Sequence, residues 1–208
     1  MKNIEILESK KIIDYKFAIN YMEDKLLDVK NNKAKELIWF LEHPSIYTSG
    51  RGNPVNQSYI NKIPIYNSGR GGKITWHGPG QRIIYFIIDL RKRRLDIRRF
   101  VNNIEKFIIE SLLELDIEAY KKKNIVGIWT LDKEKKEAKI GSLGLRVSKG
   151  IIYHGLSLNV SCDLSNFYKI DPCGIKNSRV TSVKNLKNLI NKNEVDKVLK
   201  RKLKVLFN

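Results

Sequence analysis

Two uninterrupted apolar runs in the first half of the chain constrain its fold more than any other feature. They cover residues 37–41 (Leu-Ile-Trp-Phe-Leu) and 83–88 (Ile-Ile-Tyr-Phe-Ile-Ile). The first run, between Glu36 and Glu42, is typical of a β-strand that is buried on both faces. The second is the longest apolar run of the chain, and its six residues are far fewer than the roughly 20 that a membrane-spanning helix needs. The sequence therefore predicts a buried strand at 37–41 and no transmembrane segment.

Helical patterns flank these strands. Apolar residues that recur every three or four positions predict an amphipathic helix from Ile12 to Val29. The same spacing predicts a second helix, with Asp96 as its N-cap and Leu115 near its end. A short helix near Ser182 and a C-terminal helix from Glu194 complete the helical part.

Further strands are predicted from β-rich segments that are bounded by turn residues. They cover residues 4–8, 73–77, 82–90, 126–131, 138–147 and 150–160. The second and third segments enclose Gly78-Pro79-Gly80 and predict a hairpin, and the last three predict an antiparallel meander. Residues 161–176 lack periodicity and are interpreted as an ordered loop. The predicted class is α+β, with residues 1–208 in a single domain.

The charge balance is strongly basic, with 40 Lys and Arg residues against 22 Asp and Glu residues and a net charge of +18. Such a surplus attracts anionic partners, and an acidic protein carrier fits it as well as RNA does. Two cysteines, Cys162 and Cys173, are too few for a disulfide framework. Together with the absence of a signal-peptide pattern in the first 30 residues, this predicts a cytoplasmic protein.

Several enzyme classes are excluded by motifs that the sequence lacks. It contains no GxxxxGK[ST] phosphate loop, no GxGxxG after a strand and no GxSxG nucleophile elbow. The three histidines are His43, His77 and His154, which leaves no HExxH metal motif. A zinc site of His77, His154 and Cys173 can be drawn, but their spacing gives no reason for it, so no metal is predicted.

Three segments contain more glycine and polar residues than a core requires: residues 70–81, 139–159 and 171–175. Glycine lets the backbone approach a ligand, and the polar side chains offer hydrogen bonds to it. Each feature also has a plain structural explanation, because glycines mark bulges in strands and an isolated cysteine or lysine is usually packed or solvated.

Taken together, these segments closely resemble the signature motifs of the lipoyl(octanoyl) transferases of lipoate biosynthesis. The chain reads EHPSIYTSGR at 42–51, RGGKITWHGPGQ at 70–81, KIGSLGLRV at 139–147, YHGLSLN at 153–159, PCGI at 172–175 and VTS at 180–182. Order, spacing and residue type agree over residues 42–182. Trp76 departs from the pattern, since the family commonly has tyrosine at this position.

The resemblance implies an enzyme that moves an octanoyl group from octanoyl-acyl carrier protein to a specific lysine. The implied acceptors are the lipoyl domains of 2-oxoacid dehydrogenases and the glycine-cleavage H protein. It implies no ATP, no cofactor and no membrane partner, and it makes nucleic acid an unfavoured partner. The implied fold is that of lipoate ligases and the catalytic module of biotin ligases, a curved mixed or antiparallel sheet with flanking helices.

Carried over residue by residue, the resemblance makes Cys173 the nucleophile that holds the acyl group as a thioester. Lys139 would lower the pKa of that thiol and is a candidate general base. The residues implied to bind substrate are Arg70, Gly71, Gly72, Lys73, Ile74, Thr75, Trp76, His77, Ser142, Leu143, Gly144, His154, Gly155 and Leu156.

The chemistry of a thiol nucleophile supports these roles but leaves the base open. A thiol with a pKa near 8.5 is only about 3% ionised at pH 7, so it needs a nearby cation or base. Lys139 can supply either, and a second scheme gives the base role to His77 or His154. Cys162 is interpreted as packing. The acyl chain needs an apolar tunnel, for which the candidates are Ile74, Trp76, Leu143 and Leu156.

Two other functions stay open at this point. An ATP-dependent lipoate or biotin ligase would need a longer Gly-rich, lysine-bearing pattern than Gly71-Gly72 provides, and it needs no cysteine. A basic nucleic-acid-binding module is suggested by the charge and by Trp39, Trp76 and Tyr85. These aromatic residues lie mostly in apolar runs, which favours a core position.

Overall fold

The computed structural model describes residues 3–52, 54–123, 125–170 and 178–207. Within these ranges the strands are β1 (Ile4–Glu8), β2 (Glu36–Leu41), β3 (Ile46–Ser49), β4 (Tyr59–Ile60), β5 (Ile63–Asn67), β6 (Thr75–His77), β7 (Gln81–Asp89), β8 (Ala119–Lys122), β9 (Ile125–Leu131), β10 (Glu137–Ser148) and β11 (Ile151–Asn159). The α-helices are α1 (Tyr15–Lys30), α2 (Leu90–Arg93), α3 (Ile97–Leu113), α4 (Val183–Leu186) and α5 (Lys192–Phe207), and a 3₁₀ helix spans Ser165–Lys169.

Seven strands form a mixed sheet in the order β1-β2-β7-β11-β10-β9-β8. The pair β1 and β2 is parallel, and the other neighbours in this sheet are antiparallel. A second sheet has the order β4-β5-β3-β6. The predicted α+β class, with a mixed sheet and flanking helices, is confirmed.

Strands β2 and β7 are buried along their whole length because alternate side chains enter two different cores. Ile38 and Phe86 belong to a core that also contains side chains of α3 and α5. Trp39 and Tyr85 belong to a second core, on the opposite face, that contains side chains of α1. The two continuous apolar runs of the sequence are therefore the strands at which both cores meet.

Side-chain caps fix the starts of the two longest predicted helices. The Asp14 carboxylate accepts a hydrogen bond from the Phe17 backbone N–H at 2.9 Å, and Asp96 accepts one from Arg99 at 2.8 Å. Helix α3 begins where the sequence predicts. Helix α1 begins at Tyr15 rather than at Ile12, because the cap lies between them.

The predicted hairpin of residues 73–77 and 82–90 is wrong, since the two strands belong to different sheets. Strand β6 pairs with β3, whereas β7 pairs with β2 and β11. The turn between them is bound by distant residues: the Gly80 N–H donates to Glu42 Oε2 at 2.7 Å, and the Gly80 carbonyl accepts from Ser161 at 2.9 Å. A Cβ at Gly80 would lie 2.7 Å from the Cys162 nitrogen, so only glycine fits this corner.

The predicted meander is confirmed as β9, β10 and β11. The interpreted loop at 161–176 contains the 3₁₀ helix in its described part, and its residues 171–176 lie outside the described residues. None of the helices in the described ranges has the length and apolarity that crossing a bilayer requires.

Candidate active site

A cavity of about 250 Å³ opens where β7, β10 and β11 meet the Gly-rich loop that precedes β6. Aliphatic and aromatic side chains form much of its wall. The described residues that line it are Tyr15, Arg70, Gly72, Lys73, Ile74, Thr75, His77, Ile83, Tyr85, Ile125, Val126, Lys139, Ser142, Leu143, Gly144, His154, Gly155, Leu156 and Ser157.

The residues implied to bind substrate line this cavity, except Gly71 and Trp76. Side chains alternate along a strand, so Thr75 and His77 face the cavity while Trp76 points to the other side of β6. There its ring contacts Phe167 at 5.5 Å between centroids. Of the four tunnel candidates, Trp76 therefore does not fit the structure. The binding role of the other residues stays a prediction.

Six lining residues were not predicted from the sequence: Tyr15, Ile83, Tyr85, Ile125, Val126 and Ser157. The wall of an apolar cavity has the same residue pattern as a core, so periodicity alone does not distinguish them. The signal that could have found one of them is strand pairing, since Tyr85 lies opposite the predicted Gly155.

Lys139 lies at the cavity with only 4% of its surface exposed. A bulge in β10 between Lys139 and Gly141 changes the register with β9 at this point. The Lys139 Nζ donates to the Val126 carbonyl at 3.4 Å and lies 5.9 Å from the centre of the Trp129 ring. A Cβ on Gly127 would lie 2.5 Å from Lys139 Cε, so glycine at 127 makes room for this side chain.

Cys173, the implied nucleophile, lies outside the described residues. Residues 179–181, farther along the chain, are described and bind both the backbone N–H and the carbonyl of Lys139. The Lys139 N–H donates to the Arg179 carbonyl at 2.8 Å, and the Thr181 N–H donates to the Lys139 carbonyl at 2.9 Å. Residues 179–181 thus form a short parallel bridge beside Lys139, centred on Val180.

Cys162 occupies a packing position. It is buried in a small apolar cluster that also contains Trp76 and Phe167. Burial raises the pKa of the Cys162 thiol to about 12, so the thiolate is suppressed at neutral pH. These observations agree with its interpretation as a packing residue.

Two of the three histidines have both ring nitrogens engaged. His77 Nδ1 lies 2.7 Å from Gln81 Oε1, and its Nε2 lies 3.2 Å from Thr48 Oγ1. His43 pairs with the Ile13 carbonyl at 2.7 Å and with the Tyr85 hydroxyl at 2.8 Å. Burial lowers the pKa of His77 to about 3 and that of His43 to about 4. Neither ring offers a free nitrogen to a substrate.

His154 differs from the other two histidines. Its backbone has φ of +63°, a left-handed conformation that is rare for this residue in a strand. Its ring stacks on Tyr153 at 4.7 Å, and its buried Nδ1 has no hydrogen-bond partner among the described residues. Burial lowers the pKa of His154 to about 3. The ring is therefore a neutral hydrogen-bonding group at the cavity rather than a strong base.

A metal centre finds no support in the part of the chain that the structure describes. No three His, Cys, Asp or Glu side chains of those residues form a group that could hold a metal ion. The His77 and His154 nitrogens are engaged or buried as described above, and the third member of the zinc site that the sequence allows, Cys173, lies outside the described residues.

Comparison with known proteins identifies the family. Residues 14–204 match the family described as the lipoyl protein ligase A/B catalytic domain. The octanoyltransferase of Zymomonas mobilis subsp. mobilis is 43% identical over 200 residues, which cover 96% of this chain and 92% of that protein. The chain belongs to the octanoyltransferase family. The octanoyltransferase of Wolbachia pipientis wMel is 40% identical over 204 residues, which cover 98% of this chain and 99% of that protein.

The octanoyltransferase family is a family of acyltransferases, so the predicted enzyme class is confirmed, as is the family that the motifs indicated. A solved lipoate-protein ligase A bound with ATP is similar in structure, with a TM-score of 0.71 at 16% identity. The matched region covers 98% of this chain and 84% of the ligase chain. This similarity shows that octanoyltransferase and lipoate ligase share the fold, as the resemblance implied.

Proposed function

We propose that residues 1–208 form a single octanoyltransferase catalytic domain that moves an octanoyl group from octanoyl-acyl carrier protein to a lipoyl-domain lysine without ATP. The proposed acceptors are the lipoyl domains of 2-oxoacid dehydrogenases and the glycine-cleavage H protein. The observation that carries the proposal is the largely apolar cavity that the buried Lys139 helps to line, in a chain of the octanoyltransferase family.

The cavity offers an acyl chain apolar surface. Its volume of about 250 Å³ lies just below the range of about 300–1,000 Å³ that is usual for small-molecule sites. Ile74, Leu143 and Leu156 present aliphatic surface to it, and Ile83 and Val126 add to this surface. Burial of the octanoyl methylenes would contribute about 0.8 kcal/mol each.

In the first half-reaction, the Cys173 thiolate attacks the thioester carbonyl of the octanoyl carrier. The tetrahedral intermediate collapses, the carrier thiolate leaves, and an octanoyl thioester remains on Cys173. Lys139 accepts the proton of the Cys173 thiol before attack and returns it to the leaving carrier thiolate. One thioester is exchanged for another, so the step needs no external source of energy.

In the second half-reaction, the uncharged amine of the acceptor lysine attacks the Cys173 thioester. An amide forms, the carbon–sulfur bond breaks, and the proton of the amine passes through Lys139 to the departing Cys173 thiolate. An amide is more stable than a thioester, which drives the transfer forward.

Lys139 is the base that we propose, in preference to a histidine. The ring nitrogens of His77 are both engaged, and burial lowers the pKa of His154 to about 3. A base that weak does not take a proton from a thiol at neutral pH. We further propose a cytoplasmic location, in line with the low cysteine content, and a mechanism with no bound cofactor.

Transfer to an acceptor tests the proposal. The protein, octanoyl-acyl carrier protein and an apo-lipoyl domain are incubated with a nucleotide-degrading enzyme, and the acceptor mass is recorded. We expect one octanoyl group on one lysine, and no transfer with an acceptor whose target lysine is changed to arginine. Transfer that occurs only from free octanoate with ATP would replace this proposal with a ligase activity.

A further inference from the structure

Five buried polar side chains form one continuous hydrogen-bond relay that begins at the cavity and ends beside Lys139. At the cavity end, Arg70 Nη2 lies 2.8 Å from Thr48 Oγ1, which lies 3.2 Å from His77 Nε2. His77 Nδ1 lies 2.7 Å from Gln81 Oε1, and Gln81 Nε2 lies 2.9 Å from Asn159 Oδ1. The last bond joins Asn159 Nδ2 to the Thr181 carbonyl at 3.0 Å.

Every bond of the relay has the same donor-to-acceptor direction. The Thr181 carbonyl only accepts, so Asn159 donates to it through Nδ2 and accepts from Gln81 through Oδ1. Gln81 Oε1 then accepts from the Nδ1–H of His77. Because His77 is neutral, its Nε2 has a lone pair that accepts from the Thr48 hydroxyl. No amide of the relay can be reversed without breaking a buried bond.

The end of the relay holds the segment that contacts Lys139. Asn159 binds the carbonyl of Thr181, while the N–H of the same residue donates to the Lys139 carbonyl at 2.9 Å. Residues 179–181 are therefore bound by both Lys139 and Asn159. The start of the relay, Arg70, lines the cavity.

We propose that Gln81 and Asn159 are positioning residues for acyl transfer, because their directed amide bonds hold residues 179–181 against Lys139. Neither side chain lines the cavity, so both act through the backbone that they bind. A misplaced Lys139 slows chemistry without changing how the carrier docks. The kinetic part of this inference rests on the proposed function, whereas the structural part does not.

Two isosteric variants interrupt the relay at single bonds. In Asn159→Asp the carboxylate cannot donate to the Thr181 carbonyl, and in Gln81→Glu it cannot donate to Asn159. Asn20→Asp is the matched control, since Asn20 is an exposed amide on α1. Single-turnover formation of octanoyl-enzyme is followed by mass at increasing carrier concentration.

We expect the maximal acylation rate of both relay variants to fall at least about tenfold, with a half-saturating carrier concentration within about twofold of the wild-type value. Asn20→Asp should match the wild type in both quantities. Unchanged maximal rates in both relay variants, or a loss that appears only in carrier binding, would overturn the proposal.

Amide hydrogen exchange provides a second readout that needs no acyl donor. If a carboxylate variant fails to fold, Asn159→Leu is used for the same measurement. The amides that form the two bonds of the bridge are those of Lys139 and Thr181. We expect both to exchange at least about tenfold faster in the relay variants, while the amides of β2 and β7 stay protected. Unchanged exchange at Lys139 and Thr181 would show that Asn159 does not hold this segment. If the wild type forms no octanoyl-enzyme at all, the proposed function fails, and exchange alone decides the relay.

Discussion

Lys139 owes its position to a glycine on the neighbouring strand. Gly127 has φ of +139°, and an added Cβ would lie 2.5 Å from Lys139 Cε and 3.0 Å from Nζ. A lysine that is almost fully buried needs space for its long side chain. Gly127 on β9 leaves that space because it has no Cβ.

We expect Gly127→Ala to slow octanoyl-enzyme formation at least about tenfold, since the new methyl group displaces the lysine side chain. The strained backbone should also lower the free energy of unfolding by about 1–3 kcal/mol. Gly52→Ala is the control, because the nearest atom to its Cβ is 3.7 Å away. Single-turnover mass measurements and urea unfolding compare the variants, and equal acylation rates would contradict this account of Lys139.

The buried histidines make stability depend on pH. Burial lowers the pKa of His43 to about 4 and those of His77 and His154 to about 3, whereas an unfolded histidine has a pKa of about 6.5. The unfolded chain therefore binds more protons between these values, and stability falls as the pH decreases below about 6.5.

We expect the free energy of unfolding to fall between pH 6.5 and pH 5 by up to about 1.4 kcal/mol per pH unit for each buried histidine. Most carboxylates stay ionised in this window, so the histidines dominate the change. Urea unfolding at several pH values measures it. A free energy of unfolding that stays constant from pH 7 to pH 5 would show that these rings are solvated.

At the scale of elements, a buried ion pair attaches α5 to the main sheet. Arg82 on β7 donates to both carboxylate oxygens of Asp196 on α5, at 2.8 and 2.6 Å. Both side chains are almost fully buried. Removal of Asp196 leaves the buried Arg82 with only the longer ion pair to Glu42, at 3.9 Å, and loss of the main partner of a buried charge is costly.

We expect Asp196→Ala to lower the free energy of unfolding by about 3–5 kcal/mol. On the same helix, Lys200→Ala removes the more exposed pair with Glu8 and should cost at most about 1 kcal/mol. Urea unfolding of the two variants gives the comparison. Equal losses would show that the Arg82 pair contributes no more than a surface pair.

The elements also show where sequence reasoning succeeds and where it stops. Helix α3 and strands β9 to β11 follow local periodicity and caps, so they are predicted with few errors. The path of the chain around Gly80 is not predicted, because the hydrogen bonds that fix this turn come from Glu42 and Ser161, which are distant in sequence. A tight Gly-Pro-Gly turn looks the same whether the strands beside it pair with each other or with different sheets.

The candidate site, too, is only partly predictable from the sequence. The motif resemblance indicates Lys139 and most of the residues that line the cavity, since each motif is contiguous in sequence. The resemblance does not show that Trp76 points away from the cavity while Thr75 and His77 face it, because it does not tell which face of the strand each residue occupies. The apolar run that contains Tyr85 predicts a core position, and only the assembled fold shows that this residue also borders the cavity.

At the scale of the whole molecule, we expect the net charge of +18 to promote docking of the proposed acidic carrier protein. An acidic carrier protein is attracted over distances that shorten from about 30 Å at 0.01 M salt to about 8 Å at 0.15 M. We expect the half-saturating concentration of octanoyl-acyl carrier protein to rise with salt over this range, as measured by single-turnover acylation. The uncharged donor octanoyl-pantetheine is the control and should show little change. A carrier affinity that is independent of salt would show that the charge plays no part in docking.

Intact mass most directly tests the proposal that Cys173 carries the octanoyl group. The protein is incubated with octanoyl-acyl carrier protein without ATP, and its mass is recorded before and after hydroxylamine, alongside Cys173→Ser and Cys162→Ser. We predict one octanoyl adduct that hydroxylamine removes, present in the wild type and Cys162→Ser and absent from Cys173→Ser. An adduct that persists in Cys173→Ser, or no adduct on the wild type while the carrier thioester stays intact, would contradict the account.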